Sequence, residues 1–227
     1  MGKRSSERWT KMTLTALATV LAMSSPAAAG TAVYDQPSDH PGGTGWASQD
    51  DPGNVADFTA YDNFTLLSTT LITDAHWQGV YFNPAEQGTI TAFTLGFWAD
   101  AGGQPGAQLL TQTIPGTAGE TFVGLAGTFP VYDYDTDLLT PFLAAAGVTY
   151  WLSIVPTLTF PPQWGWHTGT GGDGVFVQDT PIPARNVRAG DLAFSLTVPA
   201  PEPASLGLLG AGLLGAAALS WYRRRRS

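Results

Sequence analysis

From residue 74 to residue 198 the chain repeatedly alternates apolar and polar positions with a period of two, the pattern of strands with one buried face. Over 74–82, Trp77, Gly79 and Tyr81 share one face, with Val80 and Phe82 on the other. Over 89–99, Phe93, Leu95 and Phe97 form a stripe that ends in the turn-forming run Asp100-Ala101-Gly102-Gly103-Gln104-Pro105-Gly106. Further strands are predicted at 108–114, 120–126 and 129–137. The run 148–155 reads as a central strand, with Val148, Tyr150, Leu152 and Ile154 alternating against Thr149, Trp151 and Ser153. The closing run, 191–198, sets Leu192, Phe194, Leu196 and Val198 on one side. Helical period is scarce. Residues 138–146 read as a short turn of helix interrupted by Pro141, and residues 30–57, rich in Gly, Pro, Asp and Ser, as an irregular lead-in with at most one short strand. These patterns predict an all-β domain over 58–198, a β-sandwich of jelly-roll-like kind.

The two ends obey other patterns. Lys3, Arg4, Arg8 and Lys11 precede an uncharged, mostly apolar run at 12–23, and small residues follow, with Ala27 and Ala29 where a signal peptidase reads. Residues 1–29 therefore read as a signal peptide with an N-terminal helix, cleaved after Ala29. At the other end, residues 204–222 form a charge-free stretch of 19 residues. As a helix rising ~1.5 Å per residue, it nearly matches a ~30 Å hydrocarbon core. Trp221 and Tyr222 stand at the interface position, and Arg223, Arg224, Arg225 and Arg226 follow as a membrane stop that stays on the cytoplasmic side. The domain before it faces outward.

Residues 198–205, with Pro201-Glu202-Pro203 at their centre, the glycine-rich apolar stretch and the arginine end resemble a PEP-CTERM sorting signal, here over 199–227. The resemblance implies export by a Gram-negative bacterium that makes exopolysaccharide. It also implies recognition by an exosortase, processing near the Pro-Glu-Pro triplet, transient membrane anchoring, and delivery to the cell surface or matrix. Prolines 199, 201 and 203 favour an extended backbone accessible to such an enzyme. The domain resembles β-sandwich ectodomains common among proteins with this tag through Phe97-Trp98-Ala99-Asp100 and Ala146-Gly147-Val148-Thr149-Tyr150-Trp151.

Charge narrows the possible partners. Sixteen of the 18 acidic residues but only two of the 10 basic ones, Arg185 and Arg188, lie between Gly30 and Ala200, a net charge near −14 against −8 for the whole chain. Such a surface repels nucleic acid, whose phosphates need clustered Lys and Arg. No cysteine is present, which excludes disulfides, thiol chemistry and Cys-ligated zinc.

Candidate chemistry is sparse. Asp133, Asp135 and Asp137 point one way at strand spacing and Tyr132 and Tyr134 the other, so the carboxylates are candidate Ca²⁺ ligands. The EF-hand pattern does not continue: Leu138 and Ala144 stand where glycine and glutamate belong. A solvated strand face is the alternative, and Gly171-Gly172-Asp173-Gly174 reads as a plain loop. Six tryptophans (46, 77, 98, 151, 164 and 166) lie in the domain; Trp164 and Trp166, in a Pro- and Gly-rich stretch, are the candidates for stacking on sugar rings, the alternative being core. His40, His76 and His167 lack zinc-site spacing, no G-x-S-x-G elbow occurs, and Glu86 and Glu120 are the domain's only glutamates. The expectation is a non-enzymatic surface or matrix protein, structural or adhesive, associated with exopolysaccharide or biofilm and needing no cofactor. A carbohydrate- or calcium-binding module is the first alternative, and a secreted glycan hydrolase with two carboxylates is the second.

Overall fold

A computed structural model of the chain describes residues 30–53, 57–181 and 184–199. The signal peptide, the 204–222 segment, the Pro-Glu-Pro triplet and the arginine stop lie outside the described residues.

Fourteen strands build the domain, and among the described residues there is no helix. They are β1 (Thr31–Gln36), β2 (Gly45–Ala47), β3 (Thr59–Thr65), β4 (Thr70–Phe82), β5 (Ala92–Asp100), β6 (Pro105–Pro115) and β7 (Thr121–Ala126). The second half adds β8 (Phe129–Ala144), β9 (Thr149–Thr157), β10 (Gln163–Gly169), β11 (Val175–Asp179), β12 (Arg185–Ala189), β13 (Asp191–Leu192) and β14 (Phe194–Val198). They form two antiparallel sheets. In the first, β4 pairs with β8 along one side and with β14 and then β10 along the other; β1, β2, β7 and β13 extend it. The second runs β12-β11-β3-β9-β5-β6.

The period-two stripes become the core. Phe93, Leu95 and Phe97 of β5 and Leu152 and Ile154 of β9 are fully buried, and they face Ile72, Trp77, Tyr134, Trp164 and Leu196 from the first sheet. Aromatic rings interlock across the gap. Phe93 lies 5.0 Å from Trp77, 5.1 Å from Tyr134 and 5.8 Å from Trp164, and Phe97 stacks on Phe142 at 4.3 Å. Edge-to-face and offset pairs at such distances are favourable beyond the area they bury. Gly79 makes room for this joint: a Cβ there would stand 2.2 Å from the Trp164 indole.

Three local expectations are corrected. Residues 138–144 continue strand β8 rather than forming a turn of helix. Pro141 is tolerated because it lies in a bulge, between the pairs Asp74–Asp137 and Ile72–Phe142, where its missing N–H leaves no ladder bond unmade. Residues 30–57 supply two strands, not one at most. Strand β1 pairs with β14 along its length, and β2 pairs with β10 through Gly45, Trp46 and Ala47. Finally, Trp164 and Trp166 belong to β10, a strand that the glycines around them disguise as a loop.

The segment after β2 ties the sheets together. Ser48 Oγ donates to the Ile154 carbonyl at 2.6 Å and accepts the Ala60 N–H at 3.1 Å. Gln49 is fully buried; its Nε2 donates to the Leu158 carbonyl, and its Oε1 accepts the Trp164 N–H and Gln163 Nε2. Buried amides need such complete pairing.

Replacing Gly79 by Ala should push the Trp164 indole out of its seat and cost about 1–3 kcal/mol. Thermal melts should show a fall of roughly 3–10 °C for a domain of this size, and an unchanged midpoint would mean that the ring has room to shift.

Candidate functional site

Because side chains alternate across a strand, the residues between the core positions of β4, β8 and β14 are driven onto the outer face of the first sheet. Register sets them abreast. Asp35 of β1 lies opposite Ser195 of β14, Ser195 opposite His76 of β4, and His76 opposite Asp135 of β8. At ~4.8 Å per strand, this row of four polar side chains spans about 14 Å. Flanking rows add Gln78 opposite Asp133 and Asp74 opposite Asp137. A shallow groove of about 510 Å³ runs over the face, lined among others by Asp35, Ser38, His76, Gln78, Asp133 and Asp135.

Five side chains of the face are linked in pairs or threes. Gln78 Nε2 donates to Asp133 at 2.6 Å, His76 Nε2 and Asp74 Oδ1 are 3.1 Å apart, and the Thr197 hydroxyl donates to Asp74. Ser195 faces His76 across the ladder, but no hydrogen bond joins its hydroxyl to the imidazole. The face offers rows of hydroxyl, amide and carboxylate groups on a rigid sheet, chemistry suited to hydrogen-bonding a hydroxylated ligand.

Asp133, Asp135 and Asp137 do point together into solvent, opposite the inward Tyr132 and Tyr134. Successive carboxylates along one strand stand ~6.6 Å apart, whereas a single Ca²⁺ needs its oxygens at ~2.3–2.6 Å. Among the described residues, no three His, Cys, Asp or Glu side chains converge as metal ligands would.

The tryptophan expectation is corrected. Trp164 and Trp166 are both 0 % exposed, and their indole N–H groups donate inward to the Tyr134 hydroxyl and the Ala193 carbonyl. Neither presents a face to a sugar. The half-buried indoles are Trp46 and Trp98. Trp98 packs with Tyr61 and Trp151 on the outer face of the second sheet, where the Arg185 guanidinium lies over Tyr61 and pairs with Asp179 at 2.8 Å.

Glu120 is also occupied: Tyr81 and Tyr134 donate to its Oε1 at 2.5 and 2.8 Å, and Gln87 to its Oε2 at 2.7 Å. Burial pushes both tyrosine hydroxyls above their ordinary range and keeps them as donors. His167 lies under the 38–44 segment, near Ser38 and Gly43, and burial lowers its pKa.

A second acidic group joins the buried Asp62 and Asp191 to the exposed Asp173. Asp62 accepts the Leu192 and Asn63 N–H groups, Asp191 accepts Gly172 and Gly174, and Asp173 accepts Asn63 Nδ2 and Val175. These bonds tie the 171–174 loop to the sheets. Loss of water raises the Asp62 carboxyl well above the usual range, and Asp191 and Asp173 add repulsion that the two N–H groups only partly offset.

The row Asp35–Ser195–His76–Asp135 was not legible as a site, because its members come from four strands separated by up to 160 residues. The alternation over 74–82 does carry part of the signal, since it sets His76 and Gln78 opposite Trp77.

A family model described as Domain of unknown function (DUF7901) matches residues 32–197, nearly the whole described domain. The PEP-CTERM protein-sorting motif matches residues 199–226, as the Pro-Glu-Pro resemblance implied. No curated protein and no solved structure matches the chain.

For Asp62, a folded-state pKa above the unfolded one means that its contribution to stability is full below about pH 4 and is lost as pH rises through the folded value. The Asp62→Asn chain should therefore gain on the parent in melting temperature between about pH 4 and pH 7. A gap that stays constant with pH would show the carboxyl to be ionised without cost.

Proposed function

Since the chain belongs to the family described as Domain of unknown function (DUF7901) and closes with a PEP-CTERM sorting motif, we propose that it is a non-enzymatic surface or matrix protein that adheres to exopolysaccharide through the outer face of its first sheet. The motif marks an exported exosortase substrate with a C-terminal membrane-anchoring signal. The finer destination, the surface or biofilm matrix of a Gram-negative cell after signal-peptidase and exosortase processing, follows from what such tags accompany. The mature part is then a β-sandwich ectodomain carried between two removable ends.

The observation that carries the adhesive reading is the abreast row Asp35–Ser195–His76–Asp135. Open and polar, it can accept and donate hydrogen bonds along a polymer lying across the strands. A face of this kind gives weak contacts singly and useful retention when many copies meet one chain. Within the row His76 is held by Asp74, and beside it Asp133 is held by Gln78, which fixes their direction and so reduces the entropy lost on binding.

The exported protein should co-sediment with exopolysaccharide of the producing cell, and the combined change His76→Ala, Asp133→Asn and Asp135→Asn should reduce the bound fraction severalfold. Melting should move little, since surface substitutions usually cost within about 0.5 kcal/mol. Undiminished binding would remove the groove from the proposal, and release of soluble sugar ends by the parent protein would replace adhesion with hydrolysis.

Deleting residues 201–227 should leave the domain folded but shift it from the cell-bound fraction to the medium or the periplasm. Unchanged retention, by immunoblot of fractionated cells, would count against exosortase sorting.

A further inference from the structure

Five exposed apolar side chains gather at one end of the domain. Leu71 and Leu143 are direct cross-strand partners on the outer face of the first sheet, 50 % and 61 % exposed. Leu139, 66 % exposed, rises from the neighbouring bulge. Leu67, 98 % exposed, and Val148, 43 % exposed, sit on the adjoining connections β3–β4 and β8–β9, which the Gly147 N–H to Leu66 carbonyl bond holds together. No acidic residue belongs to this set. Scattered exposed leucines are ordinary, but a contiguous group contributed by separate chain segments marks a contact surface.

The chain leaves the domain at the same end. Thr197 pairs with Asp74, so β14 runs out beside the start of β4, and a hollow of about 360 Å³ is lined by Gly30, Thr73, Pro141 and Pro199 together. Gly30 lies there too, its α-carbon close to the Thr197 side chain and the Val198 carbonyl. Both ends of the domain thus leave beside the leucines. From Pro199 to Ala204, where the charge-free segment begins, there are five residue steps. Even fully extended they reach only about 17 Å.

We propose that, while the C-terminal segment is in the membrane, the apolar end formed by Leu67, Leu71, Leu139, Leu143 and Val148 rests in the outward leaflet of the bilayer and orients the domain. The proposal rests on the anchoring reading of the motif and adds a lipid-contacting site on the folded domain. The short tether supplies a high local concentration of bilayer, so five partly exposed side chains suffice where a free domain would bind only weakly. The Asp74–Asp137 row lies just above the leucines, at the level where headgroups and water meet.

The chain has no native cysteine, so single labels report unambiguously. The full chain without its signal peptide is reconstituted in phosphatidylcholine vesicles with an environment-sensitive fluorophore at Leu67→Cys, Leu143→Cys, Leu213→Cys or, at the far end of the domain, Thr128→Cys. The expected result is quenching of labels 67, 143 and 213 by nitroxide lipids and several-fold protection from aqueous iodide, with the opposite behaviour at 128. Lipid quenching at 213 with free iodide access at 67 and 143 would overturn the leucine contact and leave the anchor standing. Failure at 213 as well would overturn the anchor and the contact together. Protection at 67 and 143 without lipid quenching would also overturn the proposal, and would identify a second copy of the chain as the cover.

Discussion

Everything else in the domain depends on the joint where Phe93 enters the socket of Trp77, Tyr134 and Trp164. Trp77 and Tyr134 lie near-parallel with ring centroids 5.7 Å apart and belong to neighbouring strands, so their contact also fixes the β4–β8 register. A one-residue slip would turn every core ring outward. The same pleat decides the outer surface. With Trp77 and Tyr134 held inward, His76, Gln78, Asp133 and Asp135 can only face solvent, in the order in which the ladder sets them abreast. The groove is therefore a consequence of the core, and a sequence able to fill the core differently would not keep the groove.

An acidic domain with only two arginines must either expose its carboxylates or satisfy them with backbone N–H groups. Both solutions occur. The carboxylates of β8 are exposed and line one face, where their charge also discourages edge pairing with another copy. Asp62 and Asp191 are buried, and their oxygens are taken up by amides of the 171–174 loop, Asn63 and Leu192. Arg185 makes a bidentate pair with Asp179 and donates to the Pro105 carbonyl, and its guanidinium covers Tyr61.

The strands that were legible are those whose own side chains alternate. Strands β4, β5 and β9, with the last run, 191–198, could be read from Trp77/Tyr81, Phe93/Leu95/Phe97, Leu152/Ile154 and Phe194/Leu196, because each stripe reports its burial locally. Strand β10 could not. Its run Gln163-Trp164-Gly165-Trp166-His167-Thr168-Gly169 has glycine where a polar outward residue is expected, and those glycines exist for reasons that only the fold supplies. Gly165 lies under Trp46 and Phe82, and Gly169 against Ala193. Reading that stretch as loop made Trp164 and Trp166 candidates for exposure; the alternative, core, is what the fold shows, since both form its floor. In 138–144, a proline suggested a broken helix, although one bulge was enough to absorb it. The site was harder still, since a row across four strands has no signature along any of them.

Polarity changes in bands along the outer face of the first sheet. Beginning where both chain ends leave, the face is apolar at Leu71 and Leu143, acidic at Asp74 and Asp137, and rich in hydrogen-bonding groups from His76 to Asp133. Beyond these it is apolar again at Val80, Val131 and Phe129, which pack on one another. The last band is covered by its own neighbours and needs no partner. The first is not covered, and it stands within a few residues of a stretch of chain that is itself apolar and uncharged. A soluble domain gains nothing from leaving leucines at its exit point, whereas a domain held against a bilayer gains an orientation. In that orientation the groove faces sideways, clear of the bilayer, and removal of the anchor would expose the leucines.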